Sequence, residues 1–495
     1  MPRHMEVRRG VYLDSVTLMQ ISRDVAAGTG IRSALVAMAT ELNIDLLTGM
    51  GFTAPDEASP TDLLVAVDAD DDDALARATG MVDTALSERA APATSAGFGD
   101  APAPRTVATA LNSSDAPLAM ISTPGQYAFA DAMDAVDAGR SVMVFSDNVP
   151  VEQEMWIKEA AARRGVLLMG PDCGTAVVGG VGLGFANVVR PGPVGIVAAS
   201  GTGAQQLMSL LDGVGVGISH CLGVGSRDMS SAVGGRSTLA ALDVLAADDA
   251  TEVIVVIGKP PAPEVAEAVA ARAAELGKPV LIQLLGSGTG DLTTAARAAT
   301  EAAGRSWTDP RWWPVETPRI GSYLYLRGLF SGGTLCDEAM LIASAALGPV
   351  RSNIPLQPDW ALPPDLRADG HVMIDFGDDE LTRGRPHPMI DWTLRAERIQ
   401  AEAADPNCGV LQLDVVLGHG AHPDPASELA PALVAARNLA AADGRDLAVV
   451  VSLVGTFGDP QRLDDQAVQL THAGASVHLS NAEATRTAVS LVKGS

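Results

Sequence analysis

The chain has 495 residues, 47% of them hydrophobic, with a mean hydropathy of +0.18 and a formal net charge of −26. This length makes about three domains with well-buried cores, and the acidity argues against a general nucleic-acid binder, because polyphosphate requires a basic face. No apolar run approaches the ~20 residues of a membrane span and the start is no signal peptide, so a cytoplasmic protein with no membrane partner is expected.

Residues 1–86 read as a small α+β domain. A strand and its exit fall in Val7–Ser15, helices in Val16–Ala27 and Ile31–Leu42, a strand in Asp62–Val67 and a helix in Asp73–Leu86. The acid run Asp68–Asp73 suits a helix cap, since it lacks the glycine and the distant glutamate of a calcium loop. Residues 87–112 are rich in Ala, Pro, Ser and Gly and read as a linker.

Strand-like runs then alternate with helical ones: Leu118–Ile121, Ser141–Phe145, Val166–Met169, Val194–Ala198, Ile218–Val224, Val253–Ile257 and Val280–Leu284. This alternation predicts an α/β fold with doubly wound parallel sheets, whose ligands sit at the carboxyl ends of the strands. Domains are expected at 113–190, 191–305 and 320–495, with the Trp- and Pro-rich stretch Gly304–Pro318 crossing between the last two.

The loops at those strand ends carry the candidate chemistry. Ser200-Gly201-Thr202-Gly203 ends an apolar run and opens a helix, so its first N–H groups suit phosphate or carboxylate; an ordinary βα turn is the competing reading. Gly332-Gly333 and Gly418-His419-Gly420 are similar starts. With four lysines against thirty arginines, anions must be met by backbone N–H groups and a few guanidiniums. Arg383 and Arg385, beside Asp378 and Asp379, suit planar recognition of an anion, or else a structural salt-bridge loop. His422 is either a phosphate or proton acceptor or an exposed loop histidine, and Asp375, at a strand end, reads as structural. In Gly170-Pro171-Asp172-Cys173-Gly174, Cys173 is either an acidic, reactive thiol or a small residue chosen for fit. The four cysteines show no CxxC spacing, and a loop fixes no metal geometry for His419 and His422, so no metal site is expected.

Residues 118–285 resemble the α subunit of succinyl-CoA synthetase in order and spacing, through Gly170-Pro-Asp-Cys-Gly174 and Gly195-Ile-Val-Ala-Ala-Ser-Gly-Thr202. Residues 320–495 resemble the carboxyl-terminal ligase domain of the β subunit, through Leu413–Asp424 and Val450–Thr456. Over nearly its full length the chain is similar to the FdrA family, acyl-CoA synthetase-like proteins, through Arg327–Glu338, Ile374–Glu380 and Thr382–Asp391. The resemblance implies a CoA-binding-like Rossmann domain at 113–190 and flavodoxin-like ligase domains at 191–305 and 320–495. It also implies opposed helix starts at Ser200–Gly203 and Gly418–His422 that grip a phosphoryl group.

Two departures bear on mechanism. Where the synthetase carries phosphate on a histidine, this chain reads Gly286-Ser-Gly-Thr-Gly-Asp291, and its Gly-rich CoA loop and ATP-grasp have no counterpart. The resemblance therefore implies a subunit of a transferase that uses carbamoyl phosphate or an acyl phosphate, of the oxamate carbamoyltransferase type in allantoin catabolism. The alternatives are a nucleotide-dependent acyl-CoA ligase subunit, with CoA and ATP bound with the help of partner chains, and a non-catalytic scaffold. Small anionic substrates, companion subunits and an oligomer are expected.

Overall fold

The computed structural model describes all residues except 1, 12, 14, 56–57, 90–103, 287, 289, 317–324, 383–384 and 495. The first sheet is antiparallel, β1 (Arg3–Arg8), β2 (Ile31–Met38) and β3 (Leu63–Ala69) in the order β1-β3-β2. Here the expected helix at Ile31–Leu42 is overturned. Its Ala, Leu and Met favour a helix locally, but Ala34, Leu35 and Val36 pair with Val67, Ala66 and Val65 of the buried central strand, and tertiary pairing overrides a weak propensity. The first strand also runs earlier than expected and ends before the turn at Gly10. The acid run divides its work. Asp71 Oδ1 accepts the Ala74 N–H at 2.7 Å at the start of the helix Asp72–Arg89, whereas Asp68 pairs with Arg3 at 2.8 Å and with Arg32. A short helix, Val107–Asn112, lies in the span read as linker.

A parallel sheet follows, β4 (Leu118–Ile121), β5 (Ser141–Val144) and β6 (Leu168–Met169). The third sheet holds β7 (Thr175–Val178), β8 (Val181–Gly184), β9 (Pro191–Ala198), β10 (Ile218–Gly223), β11 (Val253–Gly258) and β12 (Val280–Leu284), in the order β12-β11-β9-β10-β7-β8. Its first four members are parallel, and β7 and β8 form an antiparallel edge hairpin. The fourth sheet is β13 (Trp312–Trp313), β14 (Tyr325–Phe330), β15 (Val350–Arg351), β16 (His371–Asp375), β17 (Cys408–Val416), β18 (Ala448–Val454) and β19 (Ala475–His478), in the order β13-β19-β18-β17-β14-β16-β15. The Trp-rich crossing contributes its edge strand, β13, antiparallel to β19.

Each large sheet reverses its winding once. In the third sheet the chain leaves β9 towards β10 and β11 towards β12, so the crevice opens between the ends of β9 and β11. In the fourth it opens between β14 and β17. The two sheets are joined through helices that share one core: Leu207, Met208 and Leu211 of Gly201–Gly213 pack in the same cluster as Leu335, Ala339 and Met340 of Gly333–Leu347 and Val489 of Asn481–Lys493. Each of the buried Leu, Met and Val side chains contributes about 1.5–3 kcal/mol by leaving water. This shared core brings the two crevices face to face.

Candidate functional site

The facing crevices enclose a cleft of about 470 Å³, lined among others by Ser200, Gly201, Thr202, Lys259, Gly332, Gly333 and Thr334. Ser200 caps its helix, accepting the Gly203 N–H at 2.9 Å, and donates to Thr334 Oγ1 at 2.6 Å. Helix geometry leaves the N–H groups of Gly201, Thr202, Gly333 and Thr334 without intrahelical acceptors, so two positive helix ends meet. Glycine is required for this approach: a Cβ on Gly332 would lie 2.5 Å from Thr202 Oγ1. The Ser331–Gly332 loop is held from below by Asp414, which accepts from Ser331 N at 2.7 Å, Ser331 Oγ at 3.0 Å and Gly332 N at 3.0 Å. Asp414 is itself paired at 2.9 Å with Arg395, whose guanidinium lies 4.2 Å from the Trp392 ring centre.

Lys259, at the end of β11, lines the same cleft and pairs with Asp337 at 2.9 Å. Burial pulls its pKa down, but Asp337 and Asp375 outweigh that and leave it raised. Asp375 is buried beside the start of the Gly333 helix; burial pushes its pKa up to about 7, against the Gly377 N–H and Lys259. Lys259 is a cleft residue that the strand-and-loop reading passes over. Its signal was there to read, because it is one of four lysines and follows the apolar run Val253–Gly258.

The other candidates divide. Arg385 lines the cleft, as do Asp172, Cys173 and Gly174 but not Gly170 or Pro171; His387, not among those candidates, lines it too. Arg383 lies outside the described residues. Asp172 accepts from Ser226 Oγ at 2.8 Å, and burial, with Asp147 and Asp379, brings its pKa to about 6. The reactive-thiol reading of Cys173 is corrected: burial and Asp172 push the thiol up to about 12, and a Cβ on Gly223 would sit 2.5 Å from its sulfur. The cysteine is there for fit.

The second helix start facing Ser200 is also corrected. It is Gly332–Thr334, whereas Gly418, Gly420 and His422 do not line the cleft. The strand exit from β8 fills that half of the crevice: Ala186 bridges to His419, Asn187 Nδ2 donates to Leu417 O at 3.0 Å, and Phe185 covers Gly420. His422 is buried, its N–H donating to Met389 O at 2.8 Å and its Nδ1 accepting from Asp424 N at 3.0 Å; burial and Arg23 hold its pKa down. It is neither an exposed loop histidine nor a group in the cleft. The N-terminal domain reaches the rim, where Met19 lines the cleft and Arg23 Nη1 donates to Ile390 O at 3.0 Å.

Residues 1–102 match the family described as AllF, heavy metal-associated domain, and residues 329–491 the family described as CoA-ligase. The uncharacterized protein YahF of Escherichia coli (strain K12) is 37% identical over 493 residues, 94% of each chain. The ADP-forming succinate–CoA ligase subunit alpha 2 of Archaeoglobus fulgidus is 29% identical over 31% of this chain and 54% of its own. The malate–CoA ligase subunit alpha of Methylorubrum extorquens is 28% identical over 36% and 61%. The match thus spans little more than half of each ligase subunit. A dinucleotide-forming acetyl-coenzyme A synthetase 1 of Ca. Korarchaeum cryptofilum, solved with phosphate and ADP, aligns over 81% of this chain and 87% of its own at 16% identity, with a TM-score of 0.28.

The metal implied by the first family description does not suit the residues present. Residues 1–102 hold no cysteine and a single histidine, His4, 3.7 Å from Glu6 on the same strand. Among the described residues no group of three His, Cys, Asp or Glu could hold a metal ion, and no helix is long and apolar enough to cross a membrane.

Proposed function

Because the chain belongs to the FdrA family of acyl-CoA synthetase-like proteins, we propose that it is a subunit of a CoA-ligase-type enzyme and holds the phosphoryl end of an acyl phosphate. The observation that carries this reading is the meeting of the Ser200 and Thr334 helix starts in one cleft. Their free N–H groups aim at one anion, and preorganised donors of this kind stabilise charge that develops as phosphate departs. Lys259 adds a cation at the same end. The acyl carbon then faces the Asp172–Gly174 loop and Arg385, where an attacking nucleophile is positioned. Transfer forms the acyl–nucleophile bond, breaks the acyl–oxygen bond and releases phosphate. CoA and nucleotide sites are assigned, in this reading, to companion subunits.

A second reading, carbamoyl transfer from carbamoyl phosphate to an oxamate-like acceptor, is favoured by one observation: Gly286–Asp291 contains no histidine to carry phosphate. A donor that arrives activated needs no carrier. Arg385 would then hold the acceptor carboxylate. The full chain, purified with its companion subunits, is assayed for phosphate release from acetyl phosphate with CoA and from carbamoyl phosphate with oxamate. Release that requires CoA supports the ligase reading, and release that requires oxamate the second. Unimpaired turnover by a Ser200→Ala/Lys259→Met variant would sink both.

A further inference from the structure

We propose that His387 serves the cleft as a neutral imidazole that donates its Nε2–H to the bound anion and carries no phosphoryl group itself. The proposal rests on the anion-cleft reading above. His387 lines the cleft, its ring tilted 39° against Phe185 with centroids 5.5 Å apart. Its Nδ1 accepts the Met389 N–H at 3.2 Å. A ring nitrogen that accepts is unprotonated, so the single proton of the neutral ring is on Nε2. Among the described residues the ring's one hydrogen bond is that at Nδ1, and Nε2 makes none. Gly377 packs close to this nitrogen: a Cβ there would come within 3.1 Å of Nε2, and within 2.7 Å of Ser331 O and 3.1 Å of Asp375 Oδ1. The group is thus a donor waiting for an acceptor at the wall of an anion cleft.

The same arrangement disqualifies the ring as a phosphate carrier. Attack on phosphorus needs a lone pair on the nitrogen facing the ligand, and here the lone pair is on Nδ1, committed to Met389. Burial and the nearby Arg395 favour the uncharged form, pushing the pKa down to about 4. A donor that keeps its proton throughout the neutral range holds an anion without competing for it as a base.

The full-length chain, labelled with 15N-histidine and on its backbone amides, is titrated with inorganic phosphate; the His387→Gln spectrum assigns the ring signals. The expected result is an Nε2–H ring pattern for His387 whose Nε2 signal moves with phosphate. His387→Gln, which keeps an N–H donor, binds phosphate within about threefold of the parent, and His387→Phe loses about tenfold or more. An Nδ1–H pattern, parent-like binding by a folded His387→Phe, or an acid-labile phosphoryl group on His387 after incubation with acetyl phosphate would each overturn the proposal. The parent spectrum decides if His387→Phe does not fold. Silent amides at Thr202 and Gly333 would count against the cleft reading itself, whereas shifting amides with an unmoved His387 ring would count against this proposal alone.

Discussion

The Ser200 hydroxyl reaches 2.6 Å across to Thr334 Oγ1 and so ties together the first turns of two helices that rise from different sheets. Ser200 is at once the cap of its own helix and the bridge to the other. Ser200→Ala is expected to cost about 1–2 kcal/mol of stability, and Thr334→Ala about 1 kcal/mol. The double variant is expected to lose less than the sum, because the same contact is removed twice. Chemical denaturation of the four proteins checks this, and strict additivity would refute the bridge.

Gly332→Ala is expected to separate the helix starts, since the three atoms nearest the added methyl are all in the Thr202 side chain, at 2.5 to 2.7 Å. Overpacking of this kind costs about 1–3 kcal/mol. Thr202→Gly in the same chain removes those atoms and is expected to restore phosphate binding lost by the single variant. Calorimetric titration with phosphate reads the rescue; a double variant no better than Gly332→Ala would refute the steric account.

Lys259→Met is expected to weaken phosphate binding by about tenfold or more, the loss of one charge-assisted contact. It also strands the Asp337 carboxylate, so Lys259→Met/Asp337→Asn is the matched control. Binding that is as tight in the double variant as in the parent would remove Lys259 from the site.

Asp375 sets a pH dependence. Its pKa of about 7 in the fold lies above the ordinary 3.8, so the neutral carboxyl is the favoured form. The stability this group contributes is complete below about pH 4 and is lost as the pH rises through about 7. Asp375→Asn keeps the neutral form, and its melting temperature is expected to fall less than the parent's between about pH 5 and pH 8. Equal slopes in the two proteins would contradict the assignment.

Cys173 is expected to resist thiol reagents at about pH 8 in the native state, because burial holds the thiol far above that pH. Modification as fast as in denaturant would overturn the packing role assigned to it.

Much of this architecture is legible in the sequence because strand, small-residue loop and helix leave local signatures. Ser200-Gly-Thr-Gly203 and Gly332-Gly333 could be read as helix starts from their residues alone. Which starts face each other could not, since that depends on strand order and on the Phe185–Asn187 segment that fills the crevice over Gly418. Strand β2 was hidden for a related reason: Ala34, Leu35, Ala37 and Met38 prefer a helix, and only the neighbouring strand decides otherwise. Lys259 was visible as a rare residue, but its meaning came from a carboxylate 78 positions away in the chain.

One core, continuous across the third and fourth sheets, also changes what dilution can do. A cleft assembled from two separate polypeptides opens when their concentration falls below the dissociation constant. Here the walls are parts of one polypeptide, so each meets the other at an effective concentration that tethering sets on the order of millimolar. Anion binding by this chain should therefore be independent of protein concentration, however dilute the sample.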